Sequence, residues 1–218
     1  MIIAAGGIGS RMGTTTPKQY LLLSGKMIAL YSFELFCQME EIDEIIVVCE
    51  SAFRSFFFCS HKLISFADAG IKRQDSIFNG FRKASKIASI VCTHDAARPF
   101  VEKEAVLSLL NQTLKIGAAT LVAPVICTIK QCKNGLVENT LDRSRLWETQ
   151  TPQAMRRELF EQGFVNVQSK NLDVTDDTSL AELLNKPVAI VPSSHRNFKI
   201  TTPIDLAVAQ ELTDLLRS

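Results

Sequence analysis

The sequence predicts an α/β fold whose mostly parallel sheet carries helices on both faces, and three observations predict it. Short apolar runs bounded by turn residues alternate with stretches of helical periodicity through the first half of the chain. Those runs are short and almost purely apolar, as in strands buried on both faces. The 218 residues are 46% hydrophobic, enough for the full-sized core of one domain.

The elements follow in order. Ile2-Ile3 is a short apolar start that runs into a glycine-rich turn, Ala5-Gly6-Gly7-Ile8-Gly9-Ser10-Arg11-Met12-Gly13. Ile28 to Met39 reads as a helix and Ile45 to Val48 as a buried strand. Gly70 to Ser76 opens a helix over Ser76 to Lys86, Ser89 to Thr93 is a strand, Lys103 to Leu114 a helix and Ala119 to Ala123 a strand.

After Pro124 the pattern changes. Val125 to Cys132 and Leu136 to Leu141 flank Asn134-Gly135, a strong hairpin signal, so residues 125–142 form a two-stranded arm. Such an arm is marginal alone in water and must pack on something. A second subunit is the expected partner; an antiparallel edge on its own domain is the alternative. Gln150-Thr151-Pro152-Gln153 follows a further strand-like piece, and Val188 to Val191 is a strand. Thr202 then caps a last helix, with Pro203 at its first position and Asp205 at its third. With no repeat or linker, residues 1–218 read as a single domain.

Composition excludes several classes. The net charge of +1 leaves no basic stripe for nucleic acid. No apolar run reaches membrane-span length, and the amino terminus lacks the charged and apolar regions of a signal peptide. The six cysteines (Cys37, Cys49, Cys59, Cys92, Cys127 and Cys132) are scattered without a CxxC pair, and His61, His94 and His195 lie far apart. They read as free thiols in a reducing cytoplasm rather than as a zinc site.

The chemistry begins at the glycine loop. Glycines bring backbone N–H groups close to an anion, and Arg11 and Lys18 supply the charge a polyphosphate needs. Pro17 fixes the backbone from which Lys18 projects. The loop is not the dinucleotide fingerprint, whose third glycine is here Met12. Nor is it a Walker A loop, since Gly25-Lys26 is followed by Met27.

Ligands of such folds sit at the carboxyl ends of strands, which is where His94-Asp95-Ala96-Ala97-Arg98-Pro99 falls. Singly, each polar cluster has a plain structural explanation: a loop salt bridge for Asp95 and Arg98, helix capping for Asp75, Ser76 and Asp176-Asp177. Lys199, between Phe198 and Ile200, is an odd place for a solvated lysine.

Together the motifs Ala5 to Gly13, Pro17-Lys18-Gln19-Tyr20, Arg73-Gln74-Asp75-Ser76, His94 to Pro99, Thr128-Ile129-Lys130, Asp142-Arg143, Leu146-Trp147, Thr151-Pro152-Gln153, Thr175-Asp176-Asp177 and Lys199-Ile200-Thr201 resemble those of the 2-C-methyl-D-erythritol 4-phosphate cytidylyltransferases, in family order along nearly the whole chain. The resemblance implies a Rossmann-like nucleotidyltransferase fold, a homodimer joined through the hairpin arm, and CMP transfer from CTP to methylerythritol 4-phosphate, with Mg²⁺, in non-mevalonate isoprenoid synthesis.

It further implies that Arg11 and Lys18 grip the CTP phosphates and that Ala5, Gly6, Gly70 and Ser76 hold the cytosine. Gly7, Gly9 and Arg73 complete the nucleotide site. Asp95, Arg98, Thr128, Thr175 and Lys199 would hold the sugar phosphate, with Arg143 and Thr151 reaching over from the partner subunit; Arg143 and Lys199 count with Arg11 and Lys18 as catalytic. It assigns no metal ligand. Two departures stand out: Ala69-Gly70 where a Gly-Gly pair is usual, and Cys127-Thr128 where Asp-Thr is common.

Ribitol 5-phosphate cytidylyltransferase would share the fold and CTP site, but Ala96-Ala97 and Leu146-Trp147 favour the methylerythritol enzyme. A non-catalytic nucleotide-binding protein is disfavoured by Lys18 and Lys199, which no fold requires.

Overall fold

The computed structural model describes residues 1–7, 12–13 and 16–217; the expectations placed on Gly9 and Arg11 lie outside the described residues. The first strand, β1 (Ile2–Ala4), is followed by a short ribbon, β2 (Leu22–Leu23) and β3 (Lys26–Met27), which leads into α1 (Ile28–Gln38). Next come β4 (Glu44–Val48), β5 (Leu63–Ala67), α2 (Arg73–Phe81), β6 (Ile90–Asp95), α3 (Lys103–Ile116) and β7 (Ala118–Pro124). The hairpin is β8 (Lys130–Lys133) and β9 (Leu136–Thr140). The chain then closes through β10 (Trp147–Arg156), α4 (Arg157–Lys170), α5 (Ser179–Glu182), β11 (Ala189–Pro192) and α6 (Pro203–Arg217).

One sheet of seven strands runs β11-β7-β10-β6-β1-β4-β5, and every neighbouring pair is parallel except the two made by β10. The short β1 lies inside the sheet between β6 and β4, Ile2 opposite Ile46 on one side and Thr93 on the other. Strand side chains alternate between the two faces. Ile3, Ile45 and Val47 therefore pack with Phe33 and Phe36 of α1 and Leu109 of α3, while Ile2, Ile46 and Val48 pack with Ile77 and Phe81 of α2 and Phe160 and Phe164 of α4. The expected double covering is present.

Most expected elements appear with shifted ends. α2 starts at Arg73 rather than Ser76, because the Lys72 amide donates to Asp75 Oδ2 at 3.0 Å and caps the helix earlier. It stops at Phe81 rather than Lys86, where the Lys83 and Ala84 amides turn back to Gly80 and Phe81. The last helix is capped as expected: Asp205 accepts the Thr201 and Thr202 amides, each at 2.8 Å, and its own amide donates to Thr202 Oγ1.

The expectation for residues 150–153 is corrected. They lie within β10 and not after a strand, and β10 runs against both its neighbours. Pro152 has no N–H for the ladder, and the pairing with β7 shifts register between Thr149 and Gln153. The strand pattern is broken there in sequence because the ladder is broken there in space.

The hairpin turns through Asn134 and Gly135, both at positive φ, as a two-residue turn of the right twist demands. Its first strand begins at Lys130, later than the expected Val125. It forms a sheet of its own and not an edge of the main sheet, and its residues are exposed, Leu136 at 74% and Val137 at 60%.

Candidate active site

The carboxyl ends of β1, β4 and β6 lie side by side, and the site is built over them. Past β1 the Ala5 amide donates to the Val48 carbonyl at 2.9 Å, so the loop leaves the sheet anchored. The Ala5 carbonyl accepts from Gln19 Nε2 at 2.6 Å and from the Tyr20 hydroxyl at 2.8 Å; the Gly7 carbonyl accepts from Gln19 Nε2 at 3.1 Å. The 3₁₀ turn Lys18–Tyr20 is thus a floor beneath the Ala5 to Gly7 backbone. Tyr20 stacks on Phe53, centroids 3.6 Å apart, which presses that floor against the core.

Lys18 Nζ donates to the Ile200 carbonyl at 2.7 Å, so Lys18 stands next to the Lys199 segment, 182 positions from Ile200 in sequence. Gly6 touches the segment from Ala69: a Cβ on Gly6 would lie 2.5 Å from the Ala69 Cβ, closer than two carbons can approach. Glycine here brings two expected nucleotide-binding segments into contact. The Gly70 amide donates to Ser76 Oγ at 2.9 Å, and the Ser76 hydroxyl donates to the Lys72 carbonyl at 3.2 Å. Ser76 therefore shapes the Gly70 loop onto α2.

At the end of β6, Asp95 is nearly buried and meets three cations. Arg73 Nε donates to Oδ1 at 2.9 Å, Lys199 Nζ to Oδ2 at 2.9 Å, and Arg98 Nε lies 3.8 Å from Oδ2. Burial alone pushes the carboxyl up, but Arg73 and Lys199, with Arg98, outweigh it and hold Asp95 well below the usual carboxylate range. Arg98 is fixed by donating to the Asn197 carbonyl at 2.7 Å, while its buried Nε has no hydrogen-bond partner among the described residues. One carboxylate among several cations leaves positive charge for anionic ligands.

Arg73, expected at the nucleotide, braces two carboxylates in this structure. Its two terminal nitrogens pair with Asp177 at 2.8 and 2.9 Å while its Nε holds Asp95. Burial works against its charge, and Asp177 and Asp95 more than restore it, so its pKa rises. Asp177 also accepts from Thr93 Oγ1 at 2.6 Å, and its amide donates to Gln153 Oε1 at 2.7 Å.

Thr151, expected to reach a partner's site, is buried inside its own chain, where its Oγ1 accepts the Asp95 amide at 3.0 Å. Thr128 and Arg143 sit in or beside the exposed arm, Arg143 donating to the Ile126 carbonyl at 2.7 Å, and Thr175 is exposed before α5. The Asp95 contacts include neither arm residue.

Sequence reasoning missed His94, Asn197 and the bracing role of Asp177 and Gln153. His94, Asp177 and Gln153 stand in quoted motifs but carried no such role there, and helix capping explained Asp177 equally well. Asn197, which donates to the Thr151 carbonyl at 2.9 Å, carries no local signal.

The sequence profile of the family described as 2-C-methyl-D-erythritol 4-phosphate cytidylyltransferase matches residues 1–214. The chain is 44% identical over 217 residues to the chloroplastic enzyme of that name from Oryza sativa subsp. japonica, covering 97% of this chain and 73% of the relative. It is 38% identical over 212 residues to the Chlamydia pneumoniae enzyme, 97% of each being covered. The crystal structure of the Francisella tularensis enzyme superposes with a TM-score of 0.83 at 32% identity, covering 96% of this chain and 97% of that one.

Proposed function

The chain belongs to the 2-C-methyl-D-erythritol 4-phosphate cytidylyltransferase family and is a nucleotidyltransferase, and from that premise we propose how its own residues transfer CMP from CTP to methylerythritol 4-phosphate. An oxygen of the sugar phosphate attacks the α-phosphorus in line. The bond from that phosphorus to the bridging oxygen breaks, and pyrophosphate leaves with the electron pair. The nucleophile is already anionic, so no strong general base is needed. Catalysis is positioning plus charge stabilisation.

Lys18 and Arg11 take the CTP phosphates over the glycine loop. Asp95 accepts sugar hydroxyls while Arg98 and Lys199 face the sugar phosphate. The observation that carries the reading is the Lys18 bond to the Ile200 carbonyl, at 2.7 Å, which sets the triphosphate lysine beside the sugar-phosphate lysine. Two mutually repelling anions need cations placed between them in this way.

Mg²⁺ enters with CTP. Among the described residues no group of three His, Cys, Asp or Glu side chains could hold a resident ion, and both Asp95 oxygens are engaged. When bound, the ion would draw charge from the phosphate oxygens.

The exposed arm joins two copies into a homodimer and carries Arg143 to the other copy's site. Among the described residues no helix is long and apolar enough to cross a membrane. The six unpaired thiols suit a reducing compartment, and we place the enzyme in the cytoplasm.

The test is pyrophosphate release from CTP and Mg²⁺, with methylerythritol 4-phosphate and ribitol 5-phosphate in parallel. Release with the first alone supports the proposal. Release only with ribitol phosphate moves the substrate, and release with neither denies the reaction.

A further inference from the structure

His94, the residue before Asp95 on β6, is fully buried, its ring edge-on to Phe36 of α1 at 5.1 Å. Its two nitrogens have different neighbours: Nδ1 lies 3.2 Å from Thr151 Oγ1 and Nε2 lies 3.1 Å from the Arg98 carbonyl. A carbonyl only accepts, so Nε2 must carry the proton and donate. Thr151 Oγ1 already accepts the Asp95 amide at 3.0 Å, and its one proton then goes to the bare Nδ1. The bonds form a directed set: Asp95 N–H to Thr151 oxygen, Thr151 O–H to Nδ1, and Nε2–H to the Arg98 carbonyl. The Arg98 amide donates back to the Asp95 carbonyl at 3.0 Å, which closes the turn.

We propose that His94, as the neutral Nε2–H tautomer, is a positioning residue that clamps both ends of the turn carrying Asp95 and Arg98. One ring holds the Asp95 amide through Thr151 and the Arg98 carbonyl directly. The side chains aimed at the ligand, the Asp95 carboxylate and the Arg98 guanidinium, are thereby set in relation to each other. Burial pushes the imidazole pKa down to about 3, in keeping with a ring that stays uncharged. The assignment rests on the proposed function, since it is the sugar-phosphate subsite that the turn serves.

The experiment compares His94→Phe, which keeps the ring against Phe36 and removes both hydrogen bonds, with His94→Gln, which restores a donor toward Arg98. In His94→Phe the KM for methylerythritol 4-phosphate rises about tenfold, the scale of one lost hydrogen bond, while the KM for CTP stays within about twofold. His94→Gln recovers part of that loss. A lower melting temperature with both KM values unchanged, or both rising equally, overturns the proposal.

Should His94→Phe fail to fold, ¹⁵N imidazole shifts of the wild-type protein decide instead. Expected is an Nε2–H ring that does not titrate between about pH 5 and 8; a titrating ring or the other tautomer overturns the assignment. Wild-type protein inactive with either sugar phosphate would fail the proposed function, while the tautomer readout still judges the clamp itself.

Discussion

Arg73 meets Asp177 through two parallel hydrogen bonds, at 2.8 and 2.9 Å, and turns its remaining nitrogen to Asp95. One guanidinium from α2 thus joins the approach to α5 with the end of β6. The cluster of Asp95, Arg98 and Lys199 is braced through Arg73 by Asp177.

Asp177→Ala should therefore destabilise the fold and disturb the site together. It leaves the Arg73 charge, 30% exposed, without its main partner, a loss of about 3 kcal/mol for a mostly buried pair. Urea unfolding measures it, and a change under about 1 kcal/mol would mean Arg73 finds a substitute. Activity should fall as well, because Arg73 would no longer hold Asp95 in place.

Acid should weaken the protein before Asp95 titrates. The folded His94 pKa, about 3, lies below the unfolded value of about 6.5, so the unfolded chain binds the extra proton. Its contribution is present above about pH 6.5 and is lost as pH falls toward 3, up to about 2 kcal/mol by pH 5. Asp95, also depressed, adds to the loss only below about pH 4. Urea midpoints at pH 7 and pH 5 test this, with His94→Gln expected to flatten the difference; equal wild-type midpoints would contradict a buried neutral ring.

Lys18→Ala should reduce kcat by about 10²–10³, the scale for one donor to transition-state charge. Near wild-type turnover would remove the glycine-loop lysine from the chemistry. The folded state should persist, as shown by an unchanged circular dichroism spectrum.

Gly80→Ala sets two effects against each other. A Cβ there would lie 2.7 Å from Ile2 Cγ2 and 2.8 Å from Val48 Cγ2, where α2 crosses the sheet. Alanine favours a helix by about 1 kcal/mol, but overpacking costs about 1–3 kcal/mol. A lower melting temperature is the expected balance, and an unchanged or higher one would show that the sheet yields.

Leu136→Asp with Val137→Asp changes only exposed arm positions. Monomer stability should stay within about 0.5 kcal/mol. Sedimentation should shift from dimer to monomer, and activity should fall with it if Arg143 serves the second copy's site. A dimer that survives both substitutions would place the interface elsewhere.

Periodicity made α1, β4, α3 and β7 legible because each buries a continuous apolar stripe or run. The cap at Thr202 and the turn at Asn134-Gly135 were legible because backbone conformation at those points depends on few residues. β5, β10 and α4 were not. β10 is interrupted by Pro152, and β5 has mostly half-buried residues at the sheet's edge, so neither shows a clean period.

Site residues divide in the same way. By itself the sequence determined which groups are available: a glycine loop with its lysine, a carboxylate and an arginine after a strand, and a lysine among apolar neighbours. Only the tertiary structure decided that Lys18 rests on Ile200, that Arg73 bridges to Asp177 104 positions away, and that Thr151 lies under Asp95 in its own chain. Local patterns report which side of an element is apolar. They carry no strand order, and strand order sets which distant side chains share a hydrogen bond.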